Sequence, residues 1–314
     1  MATLTTQKET TKRPNKFLKK LNQNKYLMIL FAPCLIYYLV FKYAPMWGVI
    51  IAFYDYSPFL GLAGSDWIGL ENFHTFFASP IAIRAIKNSI VLGLQMIAFG
   101  FPAPIVFALV LNEVSGMKTK KFVQTVSYMP HFLSAVVIVG LIQNFFSPIN
   151  GIVNTIIVAL GGTSFNFIES AAWFRPLFVG SDIWAQMGWG AIVYMAALTN
   201  IDPALYEAAS IDGANRWQQM ISITLPSLAP TIITMLLLRI GSILTVSLEK
   251  ALLLQNAVTY STSDLIDTLV YRTGIVSGNF SYATTIGLFN SVVCLILLIV
   301  SNFLANRFSD SGLF

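Results

Sequence analysis

Side chains able to make or break bonds are few and scattered in this chain. There are two histidines, His74 and His131, and two cysteines, Cys34 and Cys294, each cysteine inside an apolar run. No nucleophile stands in a recognisable motif with a base, and no ligand set has metal-binding spacing. A Gly-x-x-x-x-Gly-Lys-Ser/Thr phosphate loop is missing, so nucleotide is not held by that device. What remains is non-covalent. Trp184, Gln186, Trp189, Tyr194 and Arg239, with Asn144 and Asp182, set aromatic faces and hydrogen-bonding groups into otherwise apolar stretches. Such groups bind a ligand rather than transform it. The chain is expected to have no enzymatic chemistry and no metal or cofactor of its own.

The elements carrying these residues follow from composition. Of 314 residues, 56% are hydrophobic and only 11% charged, against about a quarter charged in a soluble domain. Water does not tolerate the resulting long uncharged runs; a bilayer requires them. Six runs approach span length, at about 27–53, 88–111, 122–146, 177–199, 227–254 and 282–305. Lys42 and Pro45 interrupt the first, and Pro102 and Pro104 lie in the second. The expected fold is all-α, a polytopic transmembrane bundle of about six spans. Gly151–Leu160 is apolar but too short to cross, and reads as an interfacial or re-entrant helix.

Charge gives orientation. Lys8, Lys12, Arg13, Lys16, Lys19, Lys20 and Lys25 crowd the start, and Lys118, Lys120, Lys121, Arg216 and Arg307 fall on the same side of a six-span chain. The other side holds Arg84, Lys87, Arg175 and Arg272. The positive-inside rule then puts both termini in the cytoplasm. It also accounts for the basic start better than a nucleic-acid partner does. The expected organisation is a basic cytoplasmic segment 1–26, a membrane domain 27–305 and a cytoplasmic tail 306–314. An intramembrane arginine costs at least about 2.5–3.5 kcal/mol on insertion scales, so Arg239 must face protein or water. It bonds another helix or the partner, or it lines a path. Glu249, ten residues on, falls on roughly the same face but too far away for a direct pair, and Glu249-Lys250 lies near that span's outer end.

The 200–226 loop has its own local logic. Asp202-Pro203 reads as an N-cap with proline at the first helical position. Leu205, Ala208, Ala209 and Ile211 form a small apolar stripe. Asp212-Gly213 stops that helix, with Gly213 suited to a left-handed turn. A second short helix follows from about Ala214, with Trp217, Met220 and Ile221 on one face, and Pro226 enters the next span. A helix–turn–helix elbow of this kind either docks on a partner or simply lies on the membrane surface.

The string Glu207-Ala208-Ala209, three residues, Gly213, nine residues, Ile223, one residue, Leu225-Pro226 resembles the EAA signature of ABC importer permeases. Pro33…Tyr43-Ala44-Pro45, Trp67-Ile68-Gly69-Leu70-Glu71-Asn72-Phe73, Tyr128-Met129-Pro130-His131, Leu238-Arg239-Ile240-Gly241 and Glu249-Lys250 look like its carbohydrate branch. The resemblance implies the type I importer permease fold in a bacterial plasma membrane. It makes the elbow, 203–217, a coupling helix docked in a cleft of an ATPase. Glu207 would make polar contact there, Ala208 and Ala209 would allow close packing, and Asp212-Gly213 would make the turn. It implies a second homologous permease, two ATPase subunits that hold ATP and Mg, and a lipid-anchored or wall-side solute-binding protein. An oligosaccharide is the expected cargo, for which Trp184, Gln186, Trp189, Tyr194 and Arg239 are candidate path residues, because a sugar ring has an apolar face and a polar rim. A permease for peptides, amino acids or an ion is the alternative, followed by an ion-coupled carrier.

Overall fold

The computed structural model describes residues 24–309. The basic residues Lys8 to Lys20 of the expected start, and the tail beyond 309, lie outside the described residues. The chain divides into two compact units between Ile50 and Ile51. The first holds most of helix α1, Lys25–Phe53. No residue of its Lys25–Tyr38 portion is buried, as expected of side chains that lipid would cover.

The second unit opens on a small hairpin, β1 (Tyr54–Asp55) against β2 (Asp66–Trp67), with Tyr54 paired to Trp67. Trp67 stacks on Phe53 at 5.7 Å. Helix α2, Glu71–Ala78, follows. Its Asn72 amide donates to the carbonyls of Ala52 (3.0 Å) and Tyr54 (3.3 Å), so the Trp67–Phe73 signature is a hairpin clasp. Helix α3, Pro80–Asn112, starts at Ser79, whose hydroxyl accepts from Ala82 N–H, with Pro80 at its first position. Then come α4 (Met117–Phe132) and α5 (Ala135–Phe145), bent by 101° to each other. Short α6, Ile152–Ala159, precedes the 28-residue α7, Ala171–Leu198. Next are α8 (Pro203–Ile211) and α9 (Arg216–Gly241). Short helices α10 (Leu248–Leu254), α11 (Tyr260–Ser263) and α12 (Ile266–Tyr271) precede the long α13 (Phe280–Ser309).

Among the described residues, four helices are long and apolar enough to cross a membrane, α1, α3, α9 and α13, or five if the bent α4–α5 pair is one span. Helix α7 is the remaining expected span. At 1.5 Å per residue it is about 42 Å long, but Arg175, Asp182 and Gln186 make it less apolar. It packs against α3, α4, α5, α9, α10 and α11, and a helix walled in by protein can carry polar groups that lipid would not accept.

The fifth expected span, 227–254, is corrected. Helix α9 begins earlier, at Arg216, and stops at Gly241; 248–254 is a separate helix. Hydropathy runs on through Ile243, Leu244 and Val246, so composition hides the break. Hydrogen bonds fix it instead: Asp267 Oδ2 accepts from Val246 N–H (3.0 Å), and Ser247 caps α10 by accepting from Lys250 N–H (3.5 Å). Glu249 therefore does not share a helix with Arg239. The second arm of the elbow is likewise the first turns of α9 rather than a helix of its own.

Proline shapes three of these helices in one way. Wide five-residue turns at Leu39–Tyr43, Met96–Gly100 and Met220–Thr224 each end two residues before a proline, Pro45, Pro102 and Pro226. In each, the residue before the proline bonds back five positions: Ala44 to Leu39, Phe101 to Met96, Leu225 to Met220. A proline cannot donate and its ring crowds the carbonyl four back. The wide turn moves that carbonyl aside and keeps the helix running.

Two glycines set close crossings. A Cβ at Gly188 of α7 would overlap the Ser127 carbonyl of α4, and one at Gly93 of α3 would overlap the Ile243 carbonyl just past α9. The core around these crossings includes Leu92, Phe174, Phe178 and Leu265 near α10, and Ala108, Ala191, Tyr194 and Leu228 toward α8.

Candidate functional site

Two features stand out, an elbow at one end of the second unit and an open cavity between its helices. In the elbow, the Asp202 carboxylate caps α8 by accepting from Ala204 N–H (2.9 Å), ahead of Pro203. The helix ends in paired reverse bonds, Gly213 N–H to Ser210 O (3.1 Å) and Ala214 N–H to Ala209 O (2.9 Å). That pair requires a left-handed residue, and Gly213 has φ of 81°. The space around a Cβ there is open, so within this chain the need for glycine is conformational rather than steric. Asn215 then opens α9 with a reciprocal cap. Its side chain accepts from Gln218 N–H (3.0 Å), and the Gln218 side chain accepts from Asn215 N–H (2.7 Å). The Asn-x-x-Gln spacing is the local signal for this cap.

The elbow is braced. Tyr206 and Thr224 hydroxyls bond at 2.9 Å, and the Gln219 amide donates to Ser210 Oγ at 2.9 Å. Arg216 reaches Glu113 at the end of α3 (3.4 Å). The outward side is free: Glu207, Ala208, Asp212, Gly213, Leu225 and Pro226 are exposed, Ala209 is half-buried, and Ile211 is 87% exposed. A stiff arm that shows small and apolar groups to its surroundings, and continues directly into a long helix, can pass a push along its axis.

The cavity, about 560 Å³, lies between α3, α7 and α9. Gln186, Trp189, Tyr194 and Arg239 all line it, with Asp182 and Ser247. Trp184 does not. Two residues along a helix is a rotation of about 200°, and Trp184 lines a separate apolar groove with Ile138 and Phe145. Asn144 donates to its own helix at Gly140 O (2.8 Å) and is not among the lining groups.

His131 supplies what sequence reading left out. The bend after α4 lays its imidazole flat on Trp189, centroids 4.4 Å apart and planes 2° apart, with Nδ1 2.8 Å from Gln186 Oε1. Phe132 meets Trp189 edge-on at 5.7 Å. These residues come from two segments 55 positions apart, so no local spacing signals them. The result is an aromatic platform with a hydrogen-bonding edge, positioned by the α4–α7 crossing at Gly188.

The charges in the cavity differ in kind. Lys250, 5% exposed, sits 3.5 Å from Asp182 and donates to the Phe178 carbonyl at 2.8 Å, with the ring centroid 4.3 Å away. Asp182 is therefore neutralised. Arg239 has no carboxylate within ion-pair distance among the described residues.

At the end away from the elbow, fully buried Asp264 holds Arg84 of α3 (3.1 Å) and Arg272 just past α12 (3.0 Å). Asn88 bonds the Asp264 and Ser261 carbonyls, each at 3.1 Å, and accepts from Arg175 of α7 at 2.8 Å. Three chain segments are tied there. An adjoining pocket of about 600 Å³ is lined by Arg84, Lys87 and Arg175 and by no carboxylate.

Residues 100–310 match the family described as binding-protein-dependent transport system inner membrane component. The chain is 45% identical over 307 residues, covering 98% of it and 95% of the relative, to the polygalacturonan/rhamnogalacturonan transport system permease protein YteP of Bacillus subtilis (strain 168). A crystal structure of a bacterial alginate ABC transporter, in complex with an alginate pentasaccharide-bound periplasmic protein, contains a chain that matches with TM-score 0.88 and 39% identity, over 95% of this chain and 100% of that one. A crystal structure of a bacterial ABC transporter involved in the import of the acidic polysaccharide alginate matches with TM-score 0.87 and 40% identity, over 94% and 100%.

Proposed function

Because the chain belongs to the binding-protein-dependent transport system inner membrane components, a family of membrane-embedded permease subunits, we propose that it forms part of the path of an ATP-driven oligosaccharide importer. The elbow carries the reading. It is exposed on its outer side, locked internally by caps and reverse bonds, and covalently continuous with α9, which lines the cavity. The ATPases are separate chains that hold ATP and Mg. Their approach on closing moves α8, and α9 follows because Tyr206–Thr224 and Gln219–Ser210 leave no slack between them. Tilt of α9 against α3 and α7 opens the cavity toward one side of the membrane or the other.

In this proposal Glu207 contacts the ATPase, Ala208 and Ala209 let its surface come close, and Asp212-Gly213 hold the turn. Leu225-Pro226, beside the wide turn, sets the direction of α9. The elbow and both termini are cytoplasmic, in keeping with the distribution of Lys and Arg. A second, homologous permease completes the bundle, and a solute-binding protein delivers the sugar to the outer end. In the cavity Trp189 offers its ring, held by His131 stacked on it, while Gln186, Tyr194 and Arg239 offer hydrogen bonds. This matches the mixed surface of a pyranose. Binding shifts the transporter only by contacts that differ between its two states.

The test is a cysteine at position 211 in the assembled transporter, paired with cysteines placed across the ATPase surface. A crosslink that forms, and that changes in yield with ATP and vanadate, is expected. If that position is labelled by a membrane-impermeant reagent from outside intact cells, the orientation and the coupling role both fail.

A further inference from the structure

We infer that Arg239 reads a carboxylate on the cargo, so that the oligosaccharide passing through the cavity is acidic, of the uronate class. The inference rests on the importer reading above and deepens it.

Three observations carry it. First, Arg239 lies in the wall of the 560 Å³ cavity, about 21 Å along α9 from Leu225. A permanent charge in that partly buried wall is retained at a cost unless something answers it. Among the described residues no acid does so. Second, the lining acid that might have answered it, Asp182, is already held by Lys250. Within this chain a neutral sugar would leave Arg239 uncompensated; a uronate carboxylate fits the planar guanidinium fork with two parallel hydrogen bonds. Third, the same sign recurs at the end away from the elbow, where Arg84, Lys87 and Arg175 line a pocket and Asp264, which pairs with Arg84, is shared with Arg272. An anionic chain would meet attractive potential there as well. Trp189 is about one helical turn from Gln186 on the same wall, with Arg239 on α9 lining the same cavity, so a ring held at Trp189 and Gln186 can turn its carboxylate to Arg239.

Two relatives are in keeping with this class: one is named for polygalacturonan/rhamnogalacturonan transport and one for the acidic polysaccharide alginate.

The experiment uses the complete transporter, with both permeases, the ATPases and the binding protein, in proteoliposomes. Uptake of trigalacturonate is compared with that of its carboxyl-reduced, neutral analogue. The ratio of the two uptake efficiencies favours trigalacturonate in the wild type. It falls at least roughly tenfold in Arg239→Gln, the scale of one charge-assisted hydrogen bond, and is largely kept in Arg239→Lys. An unchanged ratio in Arg239→Gln, or a wild type that prefers the neutral sugar, overturns the inference and leaves the importer reading standing. A wild type that takes up neither sugar also overturns the inference, and the importer reading is then decided by the crosslink from position 211.

Discussion

Single residues decide how force and charge are handled. At Gly213, with φ of 81°, any L side chain meets the left-handed penalty of about 1–2 kcal/mol. Gly213→Val is expected to leave insertion and abundance near normal, because the position is exposed with open space around it, yet to remove most uptake by distorting the elbow. Immunoblot of membranes beside a transport assay checks both halves. Lys250 is a contrasting case. Lys250→Met strands Asp182 in a largely buried site, and breaking such pairs costs about 3–5 kcal/mol, less here because Asp182 keeps 25% exposure. The melting temperature of the solubilised transporter should drop, and Asp182→Asn added to Lys250→Met should restore part of it. Equal melting of single and double variants would show that the pair is not what holds α10 to α7. Gly213 was legible from Asp-Gly after a capped helix. The Lys250–Asp182 pair was not, since 68 residues separate its members.

Helices report which features of a chain local pattern can announce. The cap at Asp202 with Pro203 at the first position can be read directly and places the start of α8 well, whereas Ser79-Pro80 goes unread and α3 starts eight residues before the expected 88. The break after Gly241 cannot be read, because Ile243, Leu244 and Val246 are as apolar as the helix before them, and the bonds that end it come from Asp267 and Ser247. The 101° bend between α4 and α5 escapes for a similar reason: hydropathy counts apolar residues and is blind to direction. Yet that bend brings His131 onto Trp189 and so builds part of the site. Its accuracy depends on the close crossing at Gly188. Gly188→Leu would drive a side chain into the Ser127 backbone, a clash that neighbours cannot absorb by changing rotamer. Loss of folded protein is expected, on the scale of about 1–3 kcal/mol or more for overpacking. Size-exclusion profiles of the purified transporter would show it as aggregation. Normal profiles and normal uptake would mean that the two helices separate easily, and that the platform is not fixed by their contact.

Across the whole second unit, the two ends are fastened unequally. One is tied by buried Asp264, which binds Arg84 and Arg272 while Asn88 joins Arg175. The other is joined across α3 and α9 by the Arg216–Glu113 pair, 78% and 46% exposed, a kind of contact worth little in water. Asp264→Asn should destabilise the protein clearly, though by less than the about 3–5 kcal/mol of a fully buried pair, since Arg84 and Arg272 keep 40% and 32% exposure. Glu113→Gln should be nearly silent in the same thermal assay. The order of these two effects is the check. Such an arrangement behaves as a lever with its fulcrum at Asp264. A rotation of about 10° there swings the far tip of a 42 Å helix such as α7 through roughly 7 Å, while the region around the fulcrum barely shifts. Spin labels near residue 200 should therefore show broad, nucleotide-dependent distance changes, and labels near residue 261 narrow, constant ones.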